Sequence, residues 1–232
     1  MHQAQPHVTL IGVPTDVGAS RLGAAMGPDA LRVAQLGPAL AQLGVQVHDI
    51  GNLAGPPNPR GARDAAGMRN LAECIAWNQV AHDAVWPALQ HGRLPLLLGG
   101  DPTLGIGSIS AVARHCRAKG QRLRVLWLDA HSDCNTPENS PSGNLHGMPV
   151  ASLCGLGPQA LIEMSGAVPA LPASAFCQIG LRSVDMYEKH MIRELGLHVF
   201  DMRASDELGM REVMRRALAD LGPSDHLAVS FD

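Results

Sequence analysis

RVLWLDAHSD, residues 124–133, is the stretch on which the reading of the fold turns. Val125 to Leu128 form an apolar run with no polar alternation, and it stops at Asp129. A short run of this kind predicts a strand covered on both faces, as in a parallel sheet. Asp129, His131 and Asp133 then alternate with the small residues Ala130 and Ser132. If the strand continues through them, its period of two places all three on one side. Groups of this type crowded together repel or desolvate one another unless a cation joins them. Mixed carboxylate and imidazole donors suit Mn²⁺, Fe²⁺ or Zn²⁺. A solvated polar turn that binds nothing is the other reading, and the pentapeptide alone leaves both open.

Similar apolar runs recur on either side, at 7–14, 45–51, 94–100, 177–183, 198–202 and 226–232. Between them lie helical patterns at 27–44, 68–92, 105–120 and 205–222. Gly44, Gly92, Gly120 and Gly222 stand where C-caps belong, and Pro87 should kink or restart the second helix. Alternating strand and helix predicts an α/β fold with a mainly parallel sheet and helices on both faces. Residues 1–232 read as one domain, with long Pro- and Gly-rich loops at 54–67 and 135–147. Several strand-like runs end in a carboxylate: Asp101, Asp129 and Asp232. Ligands of open parallel sheets bind outside the carboxyl ends of the strands, so these ends form a candidate site.

Bulk properties narrow the function. Hydrophobic residues make up 46 % and charged residues 17 % of the 232, enough apolar content for a sizeable core. A net charge of −3 and only one Tyr and three Phe argue against nucleic acid as the partner. No run reaches membrane-spanning length, and the N-terminus lacks the pattern of a signal peptide. The five cysteines are scattered with no CxxC pair, which predicts reduced thiols in a soluble cytoplasmic protein. LLLGGDPTLGIGS (96–108) is neither a Walker loop nor a dinucleotide fingerprint. His146, in SGNLHG (142–147), has the side chain to shuttle protons at neutral pH, although a lone loop His is more often an exposed surface residue; both readings stay open.

Taken together, IGVPTDVGASRLGAAMGPDALR (11–32), LLLGGD (96–101), WLDAHSDCNTPENSPSGNLHGMPVA (127–151), IGLRSVD (179–185) and the final SFD resemble the ureohydrolase family, and within it the arginases. The likeness runs over nearly the whole chain, and the DAHSDCNTP and SGNLHGMP block is its most specific part. The resemblance implies a three-layer αβα fold with two Mn²⁺ ions at the strand ends. It assigns Asp129 and Asp232 as bridging ligands, Asp133 to the first ion and His131 to the second. It implies hydrolysis of the guanidinium of L-arginine to L-ornithine and urea, with Asp133 and His146 in catalytic roles. Asn135 and Ser142 match positions that contact the substrate α-carboxylate, and Asp185 and Glu188 those near its α-amino group. It also implies a homo-oligomer, a trimer or hexamer.

Two departures accompany the resemblance. Pro102 stands where the family carries a His ligand of the first ion, so that ion is expected to bind more weakly. The chain ends at Asp232, the first Asp of the family's last motif, and is expected to lack the C-terminal elements and a further ligand of the second ion. The expected urea release is therefore little or none. The alternatives are a non-catalytic arginase-like protein and a ureohydrolase for another guanidino acid.

Overall fold

A computed structural model describes residues 5–232. Strands occupy all seven apolar runs: β1 His7–Gly12, β2 Gln46–Asn52, β3 Leu94–Leu98, β4 Leu123–Leu128, β5 Phe176–Leu181, β6 His198–Asp201 and β7 His226–Phe231. The helices are α1 Gly27–Val33, α2 Leu36–Gln42, α3 Leu71–Gln90, α4 Gly105–Ala118, α5 Pro149–Leu153, α6 Gln159–Ile162, α7 Met186–Leu195, α8 Met202–Leu208 and α9 Met210–Ala217.

Every strand pair is parallel, but the ladder is not continuous. The strands form two half-sheets, ordered β2-β1-β3 and β6-β5-β4-β7. β3 and β7 are thus edges, each paired on one side only. The parallel α/β architecture with helices on both faces is the one expected. Sequence periodicity marks strands without stating their neighbours, so it could not show this break.

Helices lie on both faces. On one, α3, α4, α5 and α7 share a core with β4 and β5 that includes Val85, Ile106, Trp127, Val150, Phe176 and Met191. On the other, α2 covers β1 and β3 through Leu36 and Leu40. There α9 covers β4 and β5 through Val213 and Ala217, which pack with Leu126 and Ile179. Trp127 and Phe176 are fully buried, and burying side chains of this class contributes roughly 1.5–3 kcal/mol each. α3 and α4 touch closely at Gly107, whose N–H donates to Asn78 Oδ1 at 2.7 Å. A Cβ on Gly107 would stand 2.1 Å from the Asn78 carbonyl oxygen, so only glycine fits.

Several local expectations are corrected. The pattern at 27–44 is two short helices, because Gln35 adopts a left-handed backbone (φ 64°) between them. That at 205–222 divides at Gly209 (φ 77°) and ends at Ala217, so Gly222 caps no helix. It lies in a turn and donates to Asp225 Oδ2 at 2.7 Å. Gly44, Gly92 and Gly120 do take positive φ after their helices. α3 runs through Pro87 as one helix, with the proline in its last turn.

Candidate active site at the strand ends

β4 stops at Leu128, so DAHSD is a turn and not a strand extension. Its backbone is directed by its own side chains. His131 N–H donates to Asp129 Oδ1 at 2.8 Å, folding the chain back two residues on. Asp133 takes φ 52°, a left-handed conformation that Asp tolerates better than most residues. Asp129 and Asp133 are therefore buried while His131 is exposed, against the expectation that alternation would turn all three one way. His131 still faces its neighbour, with Nδ1 3.2 Å from Asp129 Oδ1.

Strand pairing brings the other carboxylate in. β4 and β7 run in register, Leu128 opposite Phe231, and Asp232 N–H donates to the Leu128 carbonyl at 3.0 Å. Asp129 and Asp232 are thus neighbours at adjoining strand ends. Asp129 N–H is held by the Ile179 carbonyl of β5 at 3.1 Å.

A second group closes round Asp133. Its N–H donates to Glu188 Oε1 at 3.0 Å. Asp185 and Glu188 form a capping box at the start of α7: Glu188 N–H donates to Asp185 Oδ1 at 2.8 Å and Asp185 N–H to Glu188 Oε2 at 3.0 Å. Asn135 Nδ2 donates to Asp185 Oδ2 at 2.9 Å. Asn135, Asp133, Asp185 and Glu188 thus form one linked polar cluster. Ser142 lies apart from it: the residue is exposed, and its Oγ accepts from Asn144 N–H at 3.2 Å. His146 sits in the following short turn, its N–H on the Gly18 carbonyl at 3.1 Å.

The electrostatics are those of crowded acid. Burial pushes the Asp133 carboxyl well above its ordinary value, and Asp129 and Glu188 push it further. Asp232 is raised by burial and then by Asp129, and Glu188 mainly by burial. His146 is lowered by burial, opposed chiefly by Asp101. Asp129 Oδ2, Asp133 Oδ2 and Asn135 Oδ1 are buried with no hydrogen-bond partner. Among the described residues, no Lys or Arg pairs with Asp129, Asp133 or Asp232. Buried, uncompensated carboxylate oxygens fit a cation. Among the described residues, no group of three or more His, Cys, Asp or Glu side chains is arranged to hold a metal ion.

Pro102 heads a short helical turn after Asp101 and carries no donor atom. Asp101 is buried and spends its carboxylate on the N–H groups of Gly18 and Thr103, both at 2.9 Å. All five cysteines are free, and burial pushes Cys134 and Cys154 up to about 12 and Cys116 and Cys177 up to about 11.

Four supporting residues escaped the sequence reading. Ser132 Oγ donates to Gln178 Oε1 at 2.8 Å and Gln178 Nε2 to the Ser132 carbonyl at 2.6 Å, a clamp that ties the turn to β5. Asn144 Nδ2 donates to Ser20 Oγ at 2.7 Å, which pins the His146 loop to the loop after β1. A polar residue inside an apolar strand, such as Gln178, was the one available signal.

Comparison with known proteins gives the family of the chain. The Arginase family model matches residues 6–232. The arginase of Bacillus caldovelox is 39 % identical over 229 residues, spanning 97 % of this chain and 75 % of that one. The solved native structure of that arginase superimposes with a TM-score of 0.89, again over 97 % and 75 % of the two chains. Entamoeba histolytica arginase, solved in complex with L-ornithine, is 32 % identical with a TM-score of 0.85, over 99 % and 76 %. A family match over residues 6–232, similarity to proteins named arginase and superposition on their structures agree: this chain belongs to the arginase family, the ureohydrolase type of hydrolase.

Proposed function

We propose that this protein is a manganese-dependent hydrolase of the guanidinium group of L-arginine, giving L-ornithine and urea. The observation that carries this reading is the meeting of Asp129, Asp133 and Asp232 at adjoining strand ends, with oxygens of Asp129 and Asp133 buried and unpartnered. Asp129, His131, Asp133 and Asp232 would hold the cations. Bound there, Mn²⁺ would acidify a water to supply the hydrolytic nucleophile.

The chain's own residues suit the rest of the task. Burial keeps His146 deprotonated near neutral pH, so it can accept a proton and return it to the leaving amine. Asn135 offers a neutral donor to the substrate α-carboxylate, held in place by Asp185, and Ser142 offers a hydroxyl from the exposed loop. Asp185 and Glu188 present anionic oxygens to the α-ammonium group while capping α7. Free thiols support a cytoplasmic setting.

The test is urea release with Mn²⁺ from L-arginine, agmatine and other guanidino acids side by side. L-Arginine should be preferred, at a low rate that Pro102→His raises. Faster turnover of agmatine would contradict the substrate assignment. Arginine binding without urea from either variant would favour a non-catalytic arginase-like protein, the reading that Pro102 supports.

A further inference from the structure

RHCRAKGQRLR, residues 114–124, holds five of the chain's 18 Lys and Arg and no carboxylate, in a protein of net charge −3. The segment runs from the last turns of α4 into β4. Three of its guanidiniums, those of Arg117, Arg122 and Arg124, line one cavity of about 450 Å³. The loop before β5 closes the other side, and every lining residue lies between Ala113 and Ala175. Ala113, Leu123, Leu171 and Ala175 give it a buried apolar wall. Arg124 and Asp129 stand at opposite ends of β4, roughly 17 Å apart at about 3.3 Å per residue. The cavity is therefore separate from the candidate active site.

The positive charge in this cavity is only partly met. Arg122 Nε donates to Asp225 Oδ2 at 3.0 Å, and Arg122 also reaches the Asp220 carbonyl. Asp225 is held below its ordinary value first by Arg122, and Arg124 adds to the effect. Among the described residues, Arg117 and Arg124 have no carboxylate partner. Each makes one hydrogen bond, Arg117 to the Ser165 carbonyl and Arg124 Nη1 to the Ser174 carbonyl at 3.3 Å. A guanidinium has five donors, so both keep most of theirs. Those two carbonyls also tether the side chains to the rim, which lowers the entropy lost when a ligand is gripped. Like charges beside an apolar wall focus a field that draws an anion. We propose that this cavity binds a phosphate group, free or carried on a small organic ester, between Arg117 and Arg124. Guanidinium forks match phosphate oxygens in pairs, which a single ammonium cannot do. A phosphate near neutral pH carries close to two negative charges, enough to neutralise the two unpaired cations. Arg122 stays with Asp225 and supplies field without a direct bond.

The probes are inorganic phosphate and glycerol 3-phosphate, each titrated at fixed ionic strength set with chloride. Succinate is the comparison dianion. Binding is read by calorimetry and by amide shifts in NMR spectra. Both phosphates should bind saturably at one site and shift Gln121–Arg124 and Ala167–Ala175. Arg117→Gln with Arg124→Gln should weaken binding at least about tenfold, whereas Arg203→Gln on α8, whose Arg pairs with Glu207, should bind as wild type does. Tighter binding of the ester, with larger shifts at Ala170 and Leu171, would assign a phosphorylated metabolite; equal binding would assign free phosphate. The wild-type shift map carries the test if the double variant fails to fold. Shifts that do not saturate, or that spread to arginines elsewhere, would overturn the proposal. So would succinate binding more tightly than either phosphate, or a folded double variant that binds like the wild type.

Discussion

Asp133 carries three constraints at once: a left-handed backbone, burial, and two acidic neighbours in Asp129 and Glu188. Asn tolerates the same backbone region, so Asp133→Asn removes the charge and leaves the turn intact. In metal-free protein this should raise the melting temperature by about 2–4 °C, the shift that about 1 kcal/mol produces in a chain of this size. A lower melting temperature would show that the charge is compensated by something else. Pro102 is the converse case, a position next to the site with no donor atom. Pro102→His should tighten manganese binding on the order of tenfold, read by titration calorimetry; unchanged affinity would remove Pro102 from the account. At this scale the sequence was a good guide to which residues gather and a poor one to how. DAHSD carries its carboxylates on a turn folded by Asp129 and held by Gln178, and the spacing of the letters resembles a strand all the same.

The helix α7 shows how one element can serve two ends. Asp185 and Glu188 were assigned to substrate through the family resemblance, and the structure also makes them the capping box of α7 and the anchors of Asn135 and Asp133. Asp185→Ala should cost about 1–2 kcal/mol of stability by chemical denaturation, from the lost cap and the orphaned Asn135 amide. No change would show that the cap is replaceable. α7 itself was not read from the sequence, although Asp-x-x-Glu at 185–188 is a start signal for a helix. The strands were legible because each is a compact apolar run bounded by Gly, Pro or Asp. The breaks at Gln35 and Gly209 were not, because a single left-handed residue leaves no periodic trace.

Where α4 meets β7, His115 and His226 lie ring to ring at 6.1 Å, with Trp86 at 6.3 Å from His115 and Gln90 Nε2 at 3.3 Å from its Nδ1. Burial holds both imidazoles below the ordinary histidine value of 6.5, and Lys119 adds to the effect on each. As pH falls through that value, the unfolded chain takes up protons that the folded one refuses. Stability is therefore complete above about pH 6.5 and declines below it. Thermal melts between about pH 7 and pH 5 should show this decline, reduced in His115→Gln. Equal declines in both proteins would assign it elsewhere.

For the whole molecule, topology explains the site. Parallel strands put all their carboxyl ends on one side, so Asp101, Asp129 and Asp232 meet there without a dedicated scaffold. The same topology leaves β3 and β7 facing each other across a gap. The account rests on a cation joining acids that the fold forces together. The direct measurement is the melting temperature of the wild-type chain and of Asp129→Asn over a Mn²⁺ titration, with Mg²⁺ as the comparison cation. The account predicts a saturable, manganese-selective rise in the wild type, about 2.7 kcal/mol of added stability at a hundred times the dissociation constant, and its loss in the variant. A wild-type melting temperature that Mn²⁺ leaves unmoved, or an equal rise in Asp129→Asn, would contradict it.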